Sequence, residues 1–168
     1  MKKIITILNL IFRIKYEFKL PKKHRILFLK KHNLHLFKKH IFLNEINFID
    51  YPDSINITVL FKSFFLKKTK NIYLNYLINY IEESDPKIII SFIDNHYPYY
   101  LLKNFFKSKK FIIIQNGYRG GDGDFFDKHK IKNYSNMNMK ADYILTFNES
   151  TGKEFKKYVD CESITIGS

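Results

Sequence analysis

Two short polar clusters hold the residue types that proton transfer and phosphate binding require. Asp94-Asn95-His96 sets a carboxylate, an amide and an imidazole in succession, and Gln115-Asn116-Gly117-Tyr118-Arg119 brings together two amides, a turn-forming glycine and a guanidinium. A carboxylate or an imidazole beside an alcohol can take its proton, and imidazole, with an ordinary pKa of about 6.5, suits that task near neutrality. Gly117 allows the positive backbone angle of a sharp turn, so Gln115 and Asn116 can aim amides at a ligand while Arg119 offers a fork of N–H donors to phosphate or carboxylate. Asp94 and His96 are therefore candidate bases, and Asn95, Gln115, Asn116, Gly117 and Arg119 candidate substrate-binding residues. Asn148, heading Asn148-Glu149-Ser150, opens a third polar cluster and joins that set. Plain structural readings stand beside these: Asp94 or Asn95 as the cap of a helix beginning near Tyr97, Asn116-Gly117 as a bare turn, Glu149 or Ser150 as a helix start, and His96 as a surface histidine beside a cap.

Each cluster closes an apolar run, and those runs must position it. Residues 25–29 read as a first buried strand and residues 46–51 as a second, ended by the turn signal Pro52-Asp53. The apolar residues of 55–66 are too dense to assign by period. Ile72, Tyr73, Tyr76, Leu77, Tyr80 and Ile81 recur at helical steps, predicting a helix over 71–83 that Ser84-Asp85-Pro86 breaks. The β-branched run 87–93 predicts a central strand, 97–107 a helix, 110–114 a strand, 141–147 a strand, 150–158 a helix and 163–166 a last strand. Alternation of this kind implies βαβ units, hence an α/β fold with a Rossmann-like parallel sheet and flanking helices. Right-handed crossovers put all strand ends on one edge, where ligands bind in open parallel sheets. The two main clusters should then emerge side by side.

With 168 residues, 45% of them hydrophobic, the chain can bury one core. A basic N-terminal segment, 1–22, is expected to precede the Rossmann-like lobe, 23–168. The net charge of +13 invites a nucleic-acid reading, yet Arg13, Arg25 and Arg119 are the only arginines and the lysines are spread along the whole chain. Nucleic-acid binders concentrate charge on one element with arginine forks, so nucleic acid is not an expected partner. Met1-Lys2-Lys3 followed by Ile4 to Phe12 resembles the start of a signal peptide, but no small-x-small site follows. Arg13, Lys15, Glu17 and Lys19 also close the run well short of the about 20 apolar residues of a membrane span. An opening strand or helix is expected there, or a basic anchor resting on an anionic membrane surface through Lys2, Lys3, Arg13 and Lys15. Cys161 is the lone cysteine, which fits a reducing cytoplasm, and its acidic neighbours Asp160 and Glu162 disfavour a reactive thiolate. His32, His35 and His40 lack the mixed ligands of a zinc site, and Gly120 to Gly123 lacks the Lys-Ser/Thr ending of a phosphate-cradling loop. Neither metal nor cofactor is expected.

The order of motifs carries a resemblance. Ile93-Asp94-Asn95, an aromatic-rich helix, Phe111 through Arg119, Ala141 through Asn148, and Ile166-Gly167-Ser168 together look like the amino-terminal half of bacterial surface-carbohydrate biosynthesis transferases. Those proteins resemble GT-B glycosyltransferases and the glycerophosphotransferases of wall-polymer synthesis. The likeness runs from about Asn71 to Ser168, a little over half the chain. It implies one lobe of a GT-B-like architecture, the acceptor side of a transferase, with Asp94 or His96 deprotonating a polysaccharide or lipid-linked acceptor. An activated sugar or nucleotide-linked donor would be held by a second lobe that this chain ends too early to include, so the chain alone should be inactive. The expected alternative is a non-catalytic, membrane-peripheral binding or scaffold module.

Overall fold

β-Branched and aromatic runs pair into a parallel sheet that buries residues on both of its faces. The computed structural model describes residues 13–31, 33–37, 43–119, 125–127 and 137–167. In chain order the elements are β1 (Lys15–Glu17), β2 (Ile26–Leu29), β3 (Ile46–Ile49), β4 (Ser54–Asn56), α1 (Ile57–Phe65), α2 (Ile72–Ser84), β5 (Ile88–Ser91), α3 (Tyr97–Leu102), β6 (Lys110–Ile114), β7 (Lys140–Thr146), α4 (Glu149–Lys156) and β8 (Asp160–Thr165). Six strands form one sheet in the order β3-β2-β5-β6-β7-β8, and every pairing in it is parallel. β1 and β4 make a separate two-stranded parallel ribbon. The α/β, Rossmann-like expectation holds.

The period of two along the strands divides the core. Leu27, Leu29, Ile89, Phe111, Ile113 and Ile144 meet α2, α3 and α4 on one face, where Leu77, Ile78, Ile81, Tyr100, Leu102 and Phe155 are buried. Ile26, Phe28, Ile90 and Ile114 point the other way with Phe92, packed under a 3-10 turn at Leu34–Phe37. There Phe28, Phe37 and Phe92 meet at centroid separations of 5.5–6.3 Å. Gly152 lets α4 lie close on the sheet, since a Cβ there would stand 2.0 Å from Ser163 Oγ and 3.2 Å from Thr146 Oγ1.

Several expected boundaries move for local reasons. The unassigned stretch is a three-residue strand running straight into α1, whose N-cap Asn56 accepts the Val59 N–H at 3.1 Å. The helix expected over 97–107 ends at Leu102, because the Asn104, Phe105 and Phe106 N–H groups reach back only three residues and Asn104 Nδ2 bonds the Leu101 and Asn138 carbonyls. β5 stops at Ser91, whose hydroxyl accepts the Ile93 N–H at 3.0 Å and takes it out of the ladder. β8 begins earlier than expected and pairs with β7 across a register shift. His35 lies in the 3-10 turn, whereas His32, His40, residues 1–12 and the 120–124 loop lie outside the described residues.

Candidate functional site

Strand order locates the crevice. The chain leaves β2 toward β3 on one side, then crosses to β5 and steps onward through β6, β7 and β8, so the order reverses between β2 and β5. In open parallel sheets, loops leaving the two carboxyl ends at such a reversal diverge, and the crevice between them is the general ligand position. Asp94-Asn95-His96 follows the carboxyl end of β5 at this reversal, and the cluster after β6 leaves the adjacent parallel strand. The two clusters do emerge side by side.

What joins them is a buried ion pair. Arg119 Nε donates to Asp94 Oδ2 at 2.7 Å, its NH2 group contacts Asp94 Oδ1, and the same NH2 donates to Asn116 Oδ1 at 2.9 Å. NH1 donates to the Tyr118 carbonyl at 3.0 Å. The Asp94 side chain is fully buried and that of Arg119 is 8% exposed. Removal from water pushes the Asp94 carboxyl above its ordinary range, against the pull of the Arg119 hydrogen bonds and charge. Arg119 therefore directs its fork at Asp94 rather than at a phosphate, and Asp94 directs both oxygens at Arg119. Neither Asp94 nor Asn95 caps α3: the N-cap position falls to His96, which makes no side-chain cap bond. Tyr100, wholly buried, donates its hydroxyl to the Asp94 carbonyl at 2.6 Å and fixes the turn from below.

Gln115 is likewise turned inward. Its Oε1 accepts the Phe147 N–H at 2.9 Å and its Nε2 donates to the Gly117 carbonyl at 2.8 Å, so it ties the end of β7 to the turn after β6. Asn148 caps α4, with Oδ1 accepting the Thr151 N–H at 2.8 Å and the Ser150 hydroxyl at 2.7 Å. Gly117 needs no positive backbone angle, and a Cβ there would meet only Arg119 NH1 at 3.8 Å. Among the expected residues, Asn95 and Asn116 face water, and Tyr118 between Gly117 and Arg119 is 85% exposed.

His96 differs from all of these. Its Nδ1 is buried and has no hydrogen-bond partner, and its ring lies 4.5 Å from that of Tyr99, 5.5 Å from Tyr73 and 6.3 Å from Tyr97. Burial lowers its pKa below the ordinary value, so the ring is neutral at pH 7. Nδ1 meets neither a donor nor an acceptor, and with the ring's single proton on Nε2 it presents a lone pair. The sign of the pH effect follows. Below about pH 6.5 the unfolded chain protonates this histidine while the folded chain resists, so stability falls as pH drops through that window. His96→Gln should flatten the slope of urea-unfolding free energy between about pH 5 and 7. An unchanged slope would mean that His96 stays solvated in the folded state.

The tyrosines were not legible as site residues. Tyr73 and Tyr99 sit at helical spacing and read as core; their hydroxyls in fact lie 3.4 Å apart, and the Tyr51 ring, just past β3, packs tilted against that of Tyr73 at a centroid separation of 4.8 Å. Burial, then the neighbouring Tyr99, raises the Tyr73 phenol well above its ordinary range, so it remains a neutral hydroxyl. Lys30, immediately after β2, adopts φ 95°, a left-handed angle costly for a side-chain-bearing residue, while its Nζ binds Asp53 at 3.0 Å. Lys31 binds Asp50 at 3.4 Å, so both cations that follow β2 are paired.

Residues 112–168 match a family described as "putative O-antigen biosynthesis protein". The match links the chain to surface-carbohydrate biosynthesis. It spans most of β6 through β8 and includes Gln115, Asn116, Gly117, Arg119 and Asn148, whereas Asp94 and His96 precede it. The matched segment of this chain thus holds the arginine half of the ion pair and the capped α4. No curated protein and no solved structure matches the chain.

At the opposite edge, where strands begin, a cavity of about 740 Å³ is lined in part by Lys103, Lys140, Asp142, Asp160 and Cys161. Four of its charges are paired, Lys103 with Asp142 at 2.8 Å and Lys140 with Asp160 at 3.2 Å. Burial, with Asp160 adding to it and Lys156 opposing, pushes the Cys161 thiol up to about 11, which leaves it protonated and unreactive. Among the described residues no group of three or more His, Cys, Asp or Glu side chains is placed to hold a metal ion.

Proposed function

We propose that the chain is the acceptor-side lobe of a glycosyl- or related transferase of surface-carbohydrate biosynthesis, with His96 as its base. The observation that carries this reading is the buried, unpartnered Nδ1 of a ring held neutral beside the crevice at the strand-order reversal. A buried acceptor without a donor is costly in a native structure, and a site awaiting a hydroxyl accounts for it. On this reading the His96 ring turns to present Nδ1, and an acceptor alcohol donates its hydrogen bond there and passes on its proton as its oxygen attacks the donor's electrophilic carbon or phosphorus. The donor's phosphate then leaves with the bonding pair. Tyr73 and Tyr97, whose rings neighbour His96, offer faces suited to sugar C–H groups, and exposed Asn95, Asn116 and Tyr118 offer polar and aromatic contacts beside them. Asp94, whose oxygens are engaged by Arg119, is a positioning residue that holds the two loops together. The donor, an activated sugar or nucleotide-linked compound, is assigned to a separate lobe.

The test is nuclear magnetic resonance of the full chain with imidazole nitrogens observed, titrated with neutral and phosphorylated saccharides and, separately, with nucleotide sugars. Saccharides should shift the His96 Nδ1 resonance, nucleotide sugars should not, and no transfer product should form with both present. Binding of nucleotide sugars at His96 would make this a donor lobe, and turnover by the chain alone would make it a complete enzyme. Indifference of His96 to every saccharide would remove the base.

A further inference from the structure

A second surface has a composition the crevice does not explain. α1 buries Val59 and Ser63 and turns Phe61, Phe64 and Phe65 outward; Phe61 is 61% exposed and Phe65 81%. The face continues onto the segment after β1, because Thr58 Oγ1 donates to the Phe18 carbonyl at 2.6 Å and Phe18 is 71% exposed. Beyond the helix, Phe64, Lys67, Lys70 and Ile72 line a hollow of about 500 Å³. Large aromatic side chains clustered in water mark a binding surface.

Charge decides what it fits. The neighbouring acids are taken by lysines: Glu83 by Lys62, Glu82 by Lys68, and Glu17 lies 3.9 Å from Lys15. Lys19, Lys67 and Lys70 are exposed and have no acidic partner among the described residues. A second copy would bring these cations against their own kind, on a chain whose net charge is +13. Aromatic rings ringed by lysines complement a lipid surface instead, where rings enter the headgroup boundary and ammonium groups meet lipid phosphates. No helix among the described residues is long and apolar enough to cross a membrane. We propose that this face of α1, with the hollow behind it, seats the chain on an anionic membrane surface, with Phe61 and Phe65 inserted and Lys67 and Lys70 on the headgroup phosphates. It does not depend on the transferase reading, and vesicle binding is measured apart from saccharide binding.

The chain has no tryptophan, so Phe65→Trp supplies a single reporter. The full chain is mixed with vesicles of phosphatidylcholine alone or with phosphatidylglycerol added, and scored by flotation and by Trp emission. Binding should require phosphatidylglycerol and shift the emission to the blue. The double variant Lys67→Gln with Lys70→Gln should bind about 30-fold more weakly, about fivefold for each cation near the surface. Phe61→Ser with Phe65→Ser should abolish flotation with an unchanged thermal melt, both side chains being exposed. Equal binding to phosphatidylcholine, an unmoved emission, or variants that bind as the parent would overturn the proposal. So would a concentration-dependent dimer, seen by sedimentation, that the serine pair dissolves.

Discussion

Asp94→Ala is expected to destabilise the fold by about 3–5 kcal/mol, because it strands the Arg119 guanidinium in a site that holds its side chain at 8% exposure. The pair itself is not the source of that figure. Taking two charges out of water costs nearly as much as their attraction returns, and replacing both by apolar groups of similar volume is often neutral. The informative comparison is thus a cycle: Asp94→Leu and Arg119→Met each alone, then together. Each single change should lower the urea-unfolding free energy by several kcal/mol, and the double variant should recover most of the loss. A loss below about 1 kcal/mol for Asp94→Ala would show that Arg119 swings out to water, and the clasp would then not be what aligns the two loops.

That clasp was half visible in the sequence. The runs flanking both clusters carry β-branched residues at lengths only a buried strand uses, and strand-helix alternation dictates a common edge; Asp94 and Arg119 were accordingly expected near one another. What the residue types could not convey is that two charges placed on adjacent strand ends would satisfy each other before any ligand. The same holds for Gln115 and Asn148, whose amides look available in a linear reading and are consumed by the Phe147, Thr151 and Ser150 donors within two turns of chain or one strand away. Short-range hydrogen bonding competes with ligand binding for such side chains, and only coordinates decide the contest. His96 was legible as chemistry from its type alone, but its aromatic wall was not, because Tyr73 and Tyr99 come from different helices and share the periodicity of core residues. The face of α1 was hidden for a converse reason: uniform apolar density conceals which side is buried.

Tyr100 should be the second most sensitive position near the site. It is wholly buried, its ring centroid lies 5.5 Å from that of Phe125, and its hydroxyl holds the Asp94 carbonyl at 2.6 Å. Burial drives its phenol far above the ordinary range, with the Asp94 carboxylate adding to that, so the hydroxyl is a permanent donor. Two substitutions separate its roles. Tyr100→Ala opens a cavity the size of a ring and should cost about 3–5 kcal/mol, the range for buried aromatic truncations. Tyr100→Phe keeps the packing and removes only the donor, leaving a buried carbonyl unsatisfied at about 1–3 kcal/mol. The smaller change also has a readout that packing alone would not move. The carbonyl it releases belongs to the residue that grips Arg119 and lies two positions before His96, so the His96 imidazole nitrogen resonances should shift in Tyr100→Phe. In a control of similar cost far from the turn, such as Ile78→Val, they should stay in place. If Tyr100→Phe leaves them where they were, the turn is held by the Asp94–Arg119 pair alone and the tyrosine serves only the core.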